Sequence, residues 1–428
     1  MKTNSDEMHN QEMLLKKIRQ SSEVFDKLAN SYEVWVPESG WLAGRRNRDK
    51  NDSKRKNLTD WSILSFLLEI DNCHYPMADS YLQYGIDGVI RIAAETLETL
   101  KNNLQSELQD QTQLDIAYLE SLLHVWKRFR QFVADHMVLA LECAKQETSD
   151  TKKKRYEKIA KICQNLTINK PNTFCEALQL FWFTYLFRSP FGAGCIGRLD
   201  QLLYPFYKHD CEMGIWDQQE AEKMLEEMFT RMNEINTGDT LRNLMLSGQD
   251  AKGNDQTNEI TYLILVAYEN TGGSEPHLNV RFHEKTPKKL RDNCINMLSS
   301  GSGQPTIYFD EAVLPAMEKA GICHEDACQY ANDGCTETVI AGKSAIVFWQ
   351  YEMVKTVELT LFGGNENPCV KPVSMKKNSI HGADFVPKTN LLIGIESKKP
   401  QELTTFSEFL SAFFEQMDHQ LDHYFFDD

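Results

Sequence analysis

Asp333-Gly334-Cys335-Thr336-Glu337 sets a thiol and a carboxylate two residues apart in a tight, glycine-led loop. Side chains at that spacing can face the same small space. A thiol that exchanges hydrogen, beside a carboxylate that moves protons, is the minimum equipment for radical elimination chemistry. The pattern Gly-Cys-x-Glu is short and takes its meaning from its surroundings. Read alone, Cys335 is a small buried residue in a turn and Glu337 a helix-start carboxylate. A cysteine-nucleophile hydrolase is open too, but it needs a histidine base close to Cys335 to form a thiolate. Cys323, His324, Cys328 and Cys335 are near one another in the chain. They form no Cys-x-x-Cys and straddle a helix and a strand, so no metal site is expected.

The elements that must hold this loop alternate. HLNVRF (277–282) reads as a strand, Thr286-Pro287 opens a helix to about Ser300, and PTIYF (305–309) is a second strand. Asp310 is the N-cap candidate of a helix ending at Gly321. A short helix from His324 then leads through QYAND into the Gly334-Cys335 turn. Strands alternating with helices predict βαβ units and a parallel sheet or barrel. In such folds chemistry gathers where strands end, and Cys335 follows one.

Upstream the periodicity is helical. IRIAAETLETLKNNLQSELQ (90–109) and IAYLESLLHVWKRFRQFVADHMVLALECAKQ (116–146) repeat apolar residues every three or four positions. Pro171 precedes TFCEALQLFWFTYLF (173–187), whose aromatic stripe reads as core. Residues 1–60 are polar, and GRRNRDKNDSKRK (44–56) reads as a solvated basic loop. A Pro/Lys/Asn-rich loop (365–389) separates Phe362-Gly363-Gly364 from a final amphipathic helix (406–426). The expected organisation is a polar segment 1–60, a mainly helical region 61–170, and a β/α region 171–428 carrying the cysteine loop.

Composition excludes several functions. Of 428 residues 41% are hydrophobic and 25% charged, the balance of a globular protein. The net charge of −16 repels phosphates, so no nucleic-acid partner is expected. No apolar run is long enough to span a membrane, and the start of the chain has no signal-peptide core, so no membrane association is expected. Eleven irregularly spaced cysteines point to reduced thiols and a cytoplasmic location.

With these residues in view, the chain resembles the pyruvate formate-lyase-like part of glycyl radical enzymes. HYPMADSYLQYGIDGVI (74–90), FCEALQLFWF (174–183) and GRLDQLLYPFYKHD (197–210) resemble blocks of that family. LMLSGQDAKGNDQTNEITYLIL (244–265), PHLNVRFHEKTP (276–287) and QPTIYFDEAVLPAMEKAGICHEDACQYANDGCTE (304–337) follow in family order. The resemblance covers roughly 60–428, one continuous domain. It implies an α/β fold: a helical N-terminal region plus half of a ten-stranded β/α barrel, with the thiol loop threaded into its centre. Such a half-barrel leaves strand edges open.

By resemblance, Cys335 is the thiol that passes a hydrogen atom to and from substrate, and Glu337 is the acid/base. Gly-Cys-Thr-Glu is similar to the eliminase and decarboxylase branches rather than to thiolytic lyases with a Cys-Cys pair. His74 matches a histidine near substrate hydroxyls in diol-dehydrating relatives, or is a satisfied helix-end histidine. Asp333 either binds a substrate hydroxyl or cation or caps the loop. Where diol-acting relatives carry serine, this chain has Gly194, Cys195 and Ile196, which argues against a glycerol-type substrate. Arg198 and Asp200 read as a structural pair, and Lys343 as an exposed loop residue.

The family's Arg-Val-x-Gly-Tyr/Phe loop, whose glycine stores the radical, does not occur in these residues. The resemblance therefore implies a glycyl radical on a missing C-terminal region or a partner chain, installed by a radical S-adenosylmethionine activase, and no other bound cofactor. The expected function is the thiyl-bearing part of a glycyl radical lyase or dehydratase acting on a small polar metabolite in anaerobic metabolism, silent by itself. The alternative is a catalytically retired relative acting as a binding or regulatory subunit. A homodimer is compatible with both.

Overall fold

Aromatic and branched apolar residues surround the helix Phe174–Phe187 on all sides, and nearly all of them are buried. A helix with no polar face belongs in the middle of a core. The computed structural model describes residues 4–45, 78–102, 109–187, 194–234, 242–334, 337–344, 353–365, 395 and 402–426. It divides into two compact units, Met13–Ile346 and Met1–Glu12 with Val347–Asp428.

The larger unit begins with helices: α1 (Asn4–Ser31, from Met13 onward), α2 (Ala78–Asn102), α3 (Gln109–Gln146), α4 (Asp150–Ile168) and α5 (Phe174–Phe187). Then β1 (Gly194–Gly197), α6 (Leu199–Met213), α7 (Gln218–Glu234), β2 (Arg242–Ser247), α8 (Glu259–Thr271), β3 (His277–Phe282), α9 (Lys288–Ser299) and β4 (Thr306–Phe309) alternate. α10 (Asp310–Lys319), α11 (His324–Ala327), β5 (Ala331–Asp333) and β6 (Glu337–Val339) complete it. The smaller unit holds α12 (Met353–Leu361) and α13 (Phe406–Phe426), where Thr356 Oγ1 donates to Gln420 Oε1 at 2.9 Å.

β1 to β4 form one parallel sheet in sequential order, with Asn243 opposite His277, Ser247 opposite Arg281 and Arg281 opposite Tyr308. The alternating pattern of the sequence thus becomes a parallel sheet with helical crossovers. Both faces are covered, as parallel sheets require. Ile196, Leu244, Leu246, Leu278 and Val280 join the main core with the helices. Cys195 and Met245 join a second cluster with Cys328, Tyr330, Ala331 and Val339. That second face carries the hairpin β5–β6, which is antiparallel and pairs Asp333 with Glu337.

Two expectations change. Residues 4–31 form a helix that polar composition concealed; Ile18 and Ala117 pack together, and Phe25 stacks on Phe187. Asp310 is the first helical residue of α10 and not its N-cap, a position that Phe309 takes. The Asp310 carboxylate is turned instead to Arg281, where it accepts two hydrogen bonds at 2.8 and 2.9 Å. A buried guanidinium needs that partner more than a helix end does. The basic loop beyond Arg45, residues 365–389 apart from Asn365, and the blocks before Ala78 lie outside the described residues.

Candidate active site

The end of β2 is built by the Gly-Arg-Leu-Asp block. Ser247 has φ 62°, left-handed and uncommon for a residue with a side chain. Asp200 Oδ2 accepts its N–H at 2.8 Å, and Arg198 Nη2 donates to its carbonyl at 2.9 Å. Burial pushes the Asp200 carboxyl up, opposed by Arg198 and by hydrogen bonds from Ser247 and Thr261. Arg198 and Asp200 are therefore a structural pair acting through Ser247, as the sequence suggested. The next residue, Gly248, has φ 99°, and a Cβ there would lie 2.5 Å from Arg281 Nε. Glycine at 248 makes room for the Arg281–Asp310 pair.

The same two arginines hold the root of the hairpin. Arg281 Nη1 donates to the carbonyls of Cys328 (2.9 Å) and Tyr330 (3.3 Å), and Arg198 Nη1 to Cys328 (3.3 Å). The Arg281 guanidinium lies 4.0 Å from the Tyr330 ring centre, and Tyr330 Oη donates to Asp310 at 3.0 Å. Arg281 and Ser247 are near the ends of their strands, so β5 starts there. Its far end is at the opposite level: Asn243, second residue of β2, donates from Nδ2 to the Gly334 carbonyl at 2.7 Å. The hairpin thus runs down the sheet face against the strand direction. Cys335 follows the end of β5 in sequence, but the preceding Gly334 lies where the parallel strands begin.

Asp333 is fully buried, and Glu337, half-buried, is its cross-strand partner. Gly334 has φ 41°, and a Cβ on it would lie 3.1 Å from Glu337 Oε2. The carboxylate therefore folds back over the glycine that leads the turn. Glu337 Oε2 is buried and has no hydrogen-bond partner among the described residues. Cys335 and His74 lie outside the described residues. The structure brings Asp333 and Glu337 together on both sides of the Cys335 turn; Lys343 is exposed and pairs with Asp326 at 2.6 Å. Among the described residues no group of three His, Cys, Asp or Glu is placed to hold a metal ion, and no helix is long and apolar enough to cross a membrane.

Sequence reasoning missed Asn243, Asn279, Arg281 and Asn332. The signal was polar residues at alternate positions of strands that are otherwise apolar, as in HLNVRF. Asn332 is fully buried, and among the described residues neither its Oδ1 nor its Nδ2 has a partner. A buried, unpaired amide costs about 1–3 kcal/mol. Asn332→Leu is therefore expected to raise the urea unfolding free energy by about 1 kcal/mol. A loss of stability would mean that the amide is satisfied.

A four-stranded parallel sheet with helical crossovers, carrying a carboxylate-flanked hairpin on one face, defines an α/β protein consistent with part of a β/α barrel. The pyruvate formate lyase-like family matches residues 72–427, and the chain belongs to that family of glycyl radical enzymes. It is 31% identical over 301 residues to trans-4-hydroxy-L-proline dehydratase of Clostridioides difficile, covering 66% of this chain and 36% of that protein. It is 28% identical over 328 residues to isethionate sulfite-lyase of Oleidesulfovibrio alaskensis, covering 71% and 37%. Among solved structures, B12-independent glycerol dehydratase from Clostridium butyricum aligns with TM-score 0.69 and 20% identity, over 97% of this chain and 62% of that one, a likeness of fold. Hydroxyproline dehydratase from C. difficile, with trans-4-hydroxy-L-proline bound, aligns with TM-score 0.62 and 27% identity over 79% and 43%. The chain spans about a third of the length of the curated relatives it matches.

Proposed function

We propose that this chain carries the thiol and the acid/base of a glycyl radical lyase or dehydratase acting on a small polar metabolite. The observation that carries the reading is the hairpin: it runs along one sheet face, its turn is led by Gly334, and Asp333 and Glu337 flank that turn. A glycyl radical supplies the hydrogen-atom chemistry that a protein thiol cannot start by itself. Cys335 relays the hydrogen atom, taking one from a substrate C–H bond and returning it after elimination. That role needs a protonated thiol in dry surroundings. The cluster against β5 and β6 fits it: Cys195, Met245, Tyr330 and Ala331 are buried there, and burial raises the thiol of neighbouring Cys328.

Glu337 moves the proton that the leaving group requires. Its buried Oε2 is an open acceptor beside the turn. Asp333, His74 and Asn332 are the candidate substrate contacts, Asn332 through two amide atoms that have no partner among the described residues. No Arg-Val-x-Gly-Tyr/Phe loop occurs in the 428 residues. The radical therefore comes from a further region or a partner chain bearing that loop, and a radical S-adenosylmethionine activase installs it. These residues by themselves are expected to be silent.

The test mixes the chain anaerobically with a glycine-loop polypeptide of a relative and its activase. Glycerol, trans-4-hydroxy-L-proline and isethionate are offered as substrates and products are followed by mass spectrometry. Turnover is expected with one of them. Glu337→Gln, which keeps shape and loses the proton, is expected to lower kcat roughly 10²–10⁴-fold. Unchanged kcat would remove Glu337 from the chemistry. A second reading is a retired relative that binds a metabolite or an enzyme partner. Ligand binding without turnover in the complete mixture would support it.

A further inference from the structure

Asn279, on β3, donates from Nδ2 to Asn243 Oδ1 at 2.8 Å, and Asn243 Nδ2 donates to the Gly334 carbonyl at 2.7 Å. The direction of this chain is forced. A carbonyl only accepts, so Asn243 must present its NH₂ to Gly334 and its oxygen to Asn279. Asn279 must then answer with its own NH₂. That leaves the fully buried Asn279 Oδ1 with no partner among the described residues. An orphaned acceptor of this kind is destabilising, so the orientation persists against a local cost. The link spans two sheet strands and ends on the residue next to Cys335.

We infer that Asn243 and Asn279 are positioning residues: a one-way amide relay that fixes the Gly334 carbonyl, the last described group before Cys335 in the chain. The inference rests on the reading of Cys335 as the working thiol. Asn243 acts on the turn directly, and Asn279 acts only by fixing which way the Asn243 amide faces. Asn279→Asp reverses that choice. A carboxylate accepts, so it draws the Asn243 NH₂ toward itself and turns the Asn243 oxygen against the Gly334 carbonyl.

The experiment measures the iodoacetamide alkylation rate of Cys335 in the reduced full chain by peptide mass spectrometry, with no turnover required. Exposed Cys211 and buried Cys163 and Cys294 serve as internal standards. Asn243→Ala and Asn279→Asp are each expected to change the Cys335 rate at least fivefold, leaving the standards unchanged. The double variant is expected to change it no further, because in the relay Asn279 acts through Asn243. Asn279→Leu replaces the orphaned acceptor with apolar atoms, keeps the fold, and is expected to give a smaller change in the same direction. It decides the matter if Asn279→Asp does not fold. Wild-type rates in all single variants, or additive effects in the double variant, overturn the relay. A changed rate in a protein whose reconstituted wild type never turns over overturns the functional proposal and leaves the relay standing.

Discussion

Cys335→Ala is expected to bring product formation in the reconstituted mixture down to background, with the fold intact. In the proposed mechanism a sulfur-centred radical breaks the substrate C–H bond, and Cys335 is the cysteine that the sequence sets between β5 and β6. Alanine has no hydrogen that can be passed on at that position, and serine, with a stronger O–H bond, is expected to fail as well. Cys195→Ala and Cys328→Ala keep the turn and are expected to retain turnover, which separates the relay from general packing of the cluster they share. Activity that survives Cys335→Ala would sink the mechanism. Activity lost in Cys335→Ala but independent of the glycine loop would point instead to a nucleophilic thiolate.

Asp310→Ala is expected to be the most damaging substitution for stability, at about 3–5 kcal/mol in urea unfolding, because it strands a buried charge. Arg281 and Asp310 are both fully buried and joined by two parallel hydrogen bonds. Asp310 also accepts from the Gln249 N–H at 3.0 Å and from Tyr330. An exposed pair such as Arg91–Glu95 gives the contrast: Glu95→Ala is expected to cost less than about 0.5 kcal/mol. Replacing both buried charges with apolar residues is often harmless, but not here. Arg281 also holds the carbonyls of Cys328 and Tyr330, and the double variant Arg281→Met/Asp310→Leu would strip the Tyr330 carbonyl of this donor and leave the Cys328 carbonyl to Arg198 alone. A double variant as stable as wild type would show that these carbonyls have other partners.

The sequence made part of the alternation of strands and helices legible because β3 and β4 are short runs punctuated by Pro and Thr, whereas β1 and β2 were not read as strands. The turn at Gly334 was legible for the same reason. Gly334 is needed both for its left-handed φ and for the space that the Glu337 carboxylate occupies. Helix α1 was not legible, because its buried positions, such as Ile18, Ser21 and Val24, are diluted by charged and amide residues. The double duty of Arg198 and Arg281 was hidden too. They reach the Cys328 carbonyl across 130 and 47 residues respectively, and no local pattern encodes such a distance. The misplaced N-cap at Asp310 has the same origin: a local rule was overridden by a partner on another strand.

The hairpin also has a place in time. Its backbone pairs only with itself among the described strands, and side chains tie it to a sheet made from residues as much as 130 positions earlier. Such separations give no return until the sheet exists to receive them. The turn that bears Cys335 is therefore expected to dock after β2 and β3 have paired and to detach before they part. Hydrogen exchange reads this directly: amides of 331–333 and 337–339 are expected to exchange faster than those of 244–246 and 278–280. Equal protection would mean that the site and its scaffold fold as a single unit.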